Sequence, residues 1–264
     1  MARLPALFVS HGAPNLVLHE SPARTFLAEF TGRLERPKAI IMVSAHFEAE
    51  RPTVVSDPHP EMIYDFRGFE PELYEMNYPA PGSRDLAERV AGAIGDSGLP
   101  VSVAPRRGYD HGVWVPLILM YPDADIPVVQ VSVQHGASAA DHYALGAALA
   151  GFRDEGVLIV GSGSFTHNLY EAMHNLRQGA VDAVRPEWVV AFVDWMARHI
   201  EAGDVADLLD YRARAPYAVE NHPTDEHLMP LYVALGAGGE GARPEHIHGS
   251  SQFGVLQLDA YAFH

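Results

Sequence analysis

Apolar, β-branched runs recur near residues 6–10, 39–45, 101–104, 127–133 and 156–161, and between them apolar positions fall at a helical period. Runs such as Ala39-Ile40-Ile41-Met42-Val43 and Val157-Leu158-Ile159-Val160 have no polar alternation, as expected of strands buried on both faces of a parallel sheet. Segment 83–97 reads as a helix, with Ser83 as N-cap, Leu86, Val90 and Ile94 on one face, and Gly98 as the stop. Pro186 opens a second helix that buries Trp188, Val189, Phe192, Val193, Trp195 and Met196, and a third spans 138–151. Strands alternating with helices predict an α/β fold, a single domain over 1–264 with a mainly parallel central sheet flanked by helices. Residues 49–82, with six prolines and a dense aromatic set (Tyr64, Phe66, Phe69, Tyr74, Tyr78), predict a functional loop or lid. Gly236–Gly241 reads as a surface turn and Phe253–Leu258 as a final strand.

Four of the apolar runs close on a histidine: His11, His46, His135 and His167. Open α/β sheets gather ligands beyond the carboxyl ends of their strands, so imidazoles placed there can converge on one divalent transition metal. His11 lies in the turn Ser10-His11-Gly12-Ala13-Pro14, and His46 in Ser44-Ala45-His46-Phe47-Glu48. His135 has no second motif around it and ranks as a pocket neighbour at best. His167 follows the small-residue turn Gly161-Ser162-Gly163-Ser164, which leaves room beside it and has Thr166 or Asn168 to cap a helix. This turn matches neither the dinucleotide fingerprint, nor a phosphate loop, nor the nucleophile elbow.

Two further segments carry candidate chemistry. In Asn221-His222-Pro223-Thr224-Asp225-Glu226-His227, a loop enters a short helix with acidic residues in its first turn. The two histidines are five apart, about 140° around a helix, so one can coordinate while the other lines the pocket or caps. In Tyr109-Asp110-His111-Gly112-Val113-Trp114, a carboxylate can orient the imidazole, while Tyr109 and Trp114 stand equally as core side chains or as flanks of a planar ring. His59, His142, His174, His199, His246, His248 and His264 read as surface or loop residues.

Composition narrows the classes. Eighteen Lys+Arg against 34 Asp+Glu give a net charge of −16, which repels nucleic acids and anionic membranes. The absence of cysteine removes disulfides, thiolate nucleophiles, iron–sulfur clusters and cysteine zinc sites. The amino terminus has no signal-peptide pattern and no apolar stretch is long enough for a bilayer, so a cytoplasmic protein is the simplest expectation.

The motifs together resemble the DODA-type members of the class III extradiol ring-cleaving dioxygenases. The resemblance rests on Ser10-His11-Gly12-Ala13-Pro14, Val43-Ser44-Ala45-His46, Ile63-Tyr64-Asp65-Phe66-Arg67-Gly68-Phe69 and Tyr78-Pro79-Ala80-Pro81-Gly82. It continues through Asp110-His111-Gly112-Val113-Trp114-Val115-Pro116-Leu117, Thr166-His167-Asn168-Leu169 and His222-Pro223-Thr224 with Glu226-His227, in family order over almost the whole chain. It implies one divalent metal per chain, Fe(II) for catalysis or Zn(II) as bound, held by His11, His46 and His227. His167 matches a histidine that is either a fourth ligand or the catalytic base, and His111 one that contacts substrate or oxygen. Distant class III relatives use two histidines and a glutamate; a third imidazole at His227 leaves the site one negative charge poorer, and such a set suits zinc as well as iron.

These readings predict a small aromatic diol and O2 as partners, with ring opening to a semialdehyde acid. His222, Tyr109 and Trp114 are the candidate substrate contacts. The oligomeric state stays open, monomer or small homo-oligomer. A zinc hydrolase built on the same histidines is the alternative, and a non-catalytic metal- or partner-binding protein a third reading.

Overall fold

The computed structural model describes residues 3–264. Its strands are β1 (Ala6–Ser10), β2 (Ala39–Ala49), β3 (Thr53–Val55), β4 (Ser102–Ala104), β5 (Val128–Gln134), β6 (Val157–Gly163), β7 (Pro244–His248), β8 (Ser251–Gln252), β9 (Leu256–Gln257) and β10 (Ala260–Phe263). Its helices are α1 (Pro22–Phe30), α2 (Arg84–Asp96), α3 (His111–Met120), α4 (Ala139–Leu149), α5 (Leu169–Arg177), α6 (Glu187–Ala202), α7 (Val205–Leu209), α8 (Tyr211–Arg214), α9 (Ala218–Asn221) and α10 (Met229–Gly238). Eight strands form one sheet in the order β4-β3-β5-β2-β6-β1-β10-β7. The central run β5-β2-β6-β1 is parallel, and β10 and β7 add antiparallel strands at one side. This is the α/β architecture expected from the apolar runs.

Side-chain alternation divides the core into two layers. Phe8, Ile41, Val43, Val129, Val131 and Ile159 face one side and pack with α2, α4, α6 and α10. Leu7, Val9, Ile40, Met42, Leu158 and Val160 face the other and pack with α1 and α3. Both faces are covered, which is why these strands read as unbroken apolar runs. Ser83 caps α2 by accepting from the Leu86 amide, and Ser138 caps α4 in a capping box with Asp141.

Several expectations are corrected. Gly236 and Gly238 are buried inside α10, all ten residues of which are buried, so only the residues beyond it turn at the surface. Its apolar residues have no polar face because the helix is enclosed on every side. Phe253–Leu258 does not form the last strand; β8 and β9 make a small hairpin there, and the sheet ends with β10. Residues from His111 onward form α3, a helix the apolar pattern did not mark, despite Pro116 within it. Pro186 is the N-cap of α6, one position before its first turn. His142 is fully buried: its Nδ1–H donates to the Ser138 carbonyl at 2.8 Å, and its Nε2 accepts from the Gln134 amide at 3.0 Å. His246 and His248 lie on β7. Residues 49–82 contain β3 and a short 3-10 turn at Pro71–Tyr74, but are otherwise irregular. No helix among the described residues is long and apolar enough to cross a membrane.

Candidate metal centre

Three strand ends deliver histidines to one crevice. His11 directly follows β1. His167 follows β6 after three intervening residues, its own amide held by the Asn221 carbonyl at 2.9 Å. His46 sits within β2, where the strand bulges. Pairing with β5 proceeds to Ser44↔Ser132 and resumes at Glu48↔Val133, leaving Ala45, His46 and Phe47 without partners on β5. Such an insertion re-aims a side chain that a regular ladder would fix elsewhere.

His227 arrives from the loop ahead of α10. Its main chain lies against β6, where a Cβ on Gly163 would collide with the His227 carbonyl oxygen and one on Gly161 with that of Pro230. The small residues that the sequence suggested would leave room beside His167 are therefore filled by the backbone that carries His227.

The imidazoles of His11, His46 and His227 meet, with His11 Nε2 3.1 Å from His46 Nε2 and His227 Nε2 3.3 Å from His46 Nε2. The outer nitrogens of His11 and His227 are committed. Ser162 Oγ donates its hydrogen to the Gly112 carbonyl at 2.5 Å, so it accepts from His11 Nδ1–H at 3.0 Å. His227 Nδ1–H donates to the Glu226 carboxylate at 2.8 Å. With those protons on Nδ1, both rings turn Nε2 lone pairs towards His46. One ring proton can bridge only one pair of the three, and facing lone pairs repel. A divalent cation resolves the conflict, and a set of neutral imidazoles backed by hydroxyl and carboxylate acceptors fits one. The three donor atoms all lie within 4.8 Å of one another.

Burial and mutual proximity keep these rings unprotonated. Burial first, then the neighbouring imidazoles, hold His11 and His227 well below the ordinary histidine range. Burial and His111 bring His46 down to about 4.

Two more histidines border the centre. His167 stacks on His227 with ring centroids 3.4 Å apart, and burial followed by the charge of His222 lowers it to about 3. Among the described residues its ring makes no hydrogen bond, which leaves a neutral imidazole with an unengaged nitrogen beside the centre. The ring of His111 lies 3.9 Å from that of His46 and 5.2 Å from that of His11. Its Nδ1–H donates to Asp65 at 2.9 Å, while its backbone amide donates to the other oxygen of that carboxylate. Burial pushes Asp65 up, but these contacts with His111 outweigh it and bring the carboxyl down to about 2.

The remaining candidates fall outside the crevice. His135 is exposed and pairs with Glu48 at 3.2 Å. His222 is wholly buried, its Nε2–H donating to the Phe165 carbonyl at 2.9 Å, so it supports the turn before His167 and cannot touch substrate. Tyr109 and Trp114 are also wholly buried. The Tyr109 hydroxyl donates to the Ala80 carbonyl at 3.2 Å, and Trp114 Nε1–H donates to Ile63. These three were expected to contact substrate; all are buried, Trp114 because α3 turns its apolar residues into the sheet, Tyr109 just before that helix, and His222 at the end of α9 beneath the His167 turn. Sequence reasoning missed Asp65, Ser162 and Glu226 as the partners of His111, His11 and His227. Only Glu226, adjacent to His227, had a local signal.

Comparison with known proteins gives the family of the chain. Residues 7–260 match the family model described as the catalytic LigB subunit of aromatic ring-opening dioxygenase. The chain is 43% identical over 260 residues to a 4,5-DOPA dioxygenase extradiol of Beta vulgaris, covering 97% of this chain and 95% of that protein. It is 36% identical to the protein of the same name in Escherichia coli K12, covering 89% and 85%. An uncharacterised protein of Escherichia coli K12 with a crystal structure superposes with a TM-score of 0.82 at 31% identity, over 99% of this chain and 100% of that one. The chain thus belongs to the LigB family of aromatic ring-opening dioxygenases and is an extradiol ring-cleaving enzyme.

Proposed function

We propose that this chain acts as one catalytic domain that opens a catechol-type ring with O2 to a semialdehyde acid, at a divalent cation held by His11, His46 and His227. The observation carrying this reading is the convergence of three Nε2 atoms, two of them with their protons held on the far nitrogen. Bound there, Fe(II) supplies acidification of the diol and electron exchange with O2, whereas Zn(II), having no redox chemistry, supplies only the first.

The protein's own groups then have distinct tasks. His167 is neutral and its ring unpartnered, so it takes the catechol hydroxyl proton on a ring nitrogen. It cannot also serve as a fourth ligand through that nitrogen. His111, fixed through Nδ1 by Asp65, presents Nε2 to the crevice and holds a proton for the leaving oxygen as the ring opens. Glu226 and Ser162 keep His227 and His11 in the tautomer that leaves Nε2 unprotonated. Phe66, its ring 6.1 Å from that of His111 and 6.0 Å from that of Trp114, belongs to the aromatic wall that excludes water on this side.

The names of the relatives support an aromatic diol of the DOPA type as substrate. The test is anaerobic loading with Fe(II), followed by oxygen uptake against a catechol panel. One O2 consumed per catechol with a yellow semialdehyde product is expected from iron-loaded protein and not from zinc-loaded protein. Equal turnover of ester or phosphoester substrates by the zinc form, with no oxygen uptake by the iron form, overturns the proposal.

A further inference from the structure

The bulge that aims His46 is an insertion of three residues in a ladder, and its backbone groups need partners other than β5. They find them in a closed ring of polar contacts behind the centre. The His46 amide donates to Ser44 Oγ at 3.2 Å, and the Ser44 hydroxyl donates to Asp110 Oδ1 at 2.6 Å. Asp110 Oδ2 lies 2.8 Å from an Arg107 terminal nitrogen, and that same nitrogen donates to the His46 carbonyl at 3.1 Å. The other terminal nitrogen donates to Gln130 Oε1 on β5 at 2.7 Å, and the guanidinium carbon lies over the Phe47 ring, 4.1 Å from its centroid. Both peptide groups of His46 are thereby tied, one through Ser44 and one through Arg107, to a single carboxylate.

We propose that Arg107 is a positioning residue for the metal centre. It clamps the Ala45–Phe47 bulge so that His46 Nε2 meets those of His11 and His227. The inference rests on the metal-binding reading above and extends it to a residue that touches none of the three imidazoles. Asp110 precedes His111, the first residue of α3, so the same clamp sets the spacing between His46 and His111. A close Gly112 completes the fit, since a Cβ there would collide with Ser44 Oγ.

The energetics favour a role in geometry over one in stability. Asp110 is 1% exposed and the Arg107 side chain 16%. Taking two such charges out of water costs several kcal/mol, and well-packed apolar residues of similar volume often serve stability as well or better. The pair provides a planar fork that meets a carboxylate, a carbonyl and an amide oxygen at once while its charge sits over an aromatic ring. A lysine ammonium cannot form that set.

The experiment is a Co(II) titration of the metal-free protein, followed by the visible d–d absorption of the bound ion, with thermal unfolding of each metal-free variant in parallel. Wild-type protein must bind one Co(II); failure there overturns the metal-centre reading itself and is distinct from failure of this inference. Arg107→Met keeps the stem over Phe47 and removes the fork. It is expected to unfold as cooperatively as wild type yet bind Co(II) about 10–100-fold more weakly, with a shifted d–d band, the scale usual for partners behind a ligand. Arg107→Lys recovers only part of the affinity. Binding by Arg107→Met within twofold of wild type, with an unchanged band, overturns the proposal. Should that variant not fold, Asp110→Asn, which keeps the shape and removes the charge that Arg107 meets, is held to the same two criteria. Arg36→Met, remote from the clamp, serves as the control and leaves both readouts unchanged.

Discussion

The molecule holds two groups of histidines, one in the crevice and one on β7, whose Nε2 atoms face different partners. At the crevice, His11, His46 and His227 face one another. On β7, at the far side of the sheet, His246 Nε2 lies 2.8 Å from the Asp259 carboxylate, while His248 bonds Ser250 Oγ at 2.8 Å and stacks on Phe26. The hydrogen bond to Asp259 raises the His246 pKa, whereas burial and like neighbours lower those of the crevice histidines. What separates a metal centre from a sheet-edge ion pair is therefore the group facing Nε2. Histidine spacing alone would have favoured His246 and His248, two apart on one strand, over three residues scattered across more than 200 positions.

The sharpest break of this contrast is to remove one imidazole from each group. His46→Ala should lose nearly all bound metal by elemental analysis, a larger loss than the 10–100-fold typical of outer partners. His246→Ala should keep wild-type stoichiometry; unchanged metal in His46→Ala would exclude it as a ligand.

Next in size is His167→Ala. Metal content should hold while catechol turnover falls about 10²–10⁴-fold, the usual contribution of a positioned proton acceptor. Full activity would remove it as the base, and loss of metal would make it a ligand.

The smallest effect is on stability against pH in the metal-free protein, read from urea midpoints. The crevice histidines have depressed folded values, about 4 for His46, against an ordinary 6.5. As pH falls below about 6.5 the unfolded chain takes up protons that the folded crevice refuses, so stability declines in acid. His246 works in reverse. Its contribution is fully present below about pH 6.5 and fades as pH rises through its raised folded value. His246→Asn should therefore be less stable than wild type on the acid side and converge with it on the alkaline side. A deficit that does not change with pH would show that the two groups do not differ in this way.

Much of the sheet was legible because β1, β2, β5 and β6 are buried on both faces and announce themselves as uninterrupted apolar runs. Helix α10 was not, since its glycines resemble a turn until the close packing around it is known. In the site, the residues that follow β1 and β6 could be found because a strand end points to a crevice. His135 shares that signature, yet β5 lies on the outer side of β2 and its end opens to solvent beside Glu48. Tyr109 and Trp114, left open between core and ring flank, are buried, and the sequence could not separate the two because aromatic residues next to a histidine look alike in either place. Asp65 and Arg107 left no local trace, because each acts on residues 46 and 61 positions away in the chain.

The bulge in β2 makes this strand intolerant of changes in length. Deleting Ala45 or Phe47 would bring the strand closer to a regular ladder while disturbing the direction of the imidazole, since a one-residue slip reverses side-chain direction, and deleting His46 would remove the imidazole itself. Natural insertions and deletions should therefore collect in the irregular stretch that follows β3 and spare these three positions.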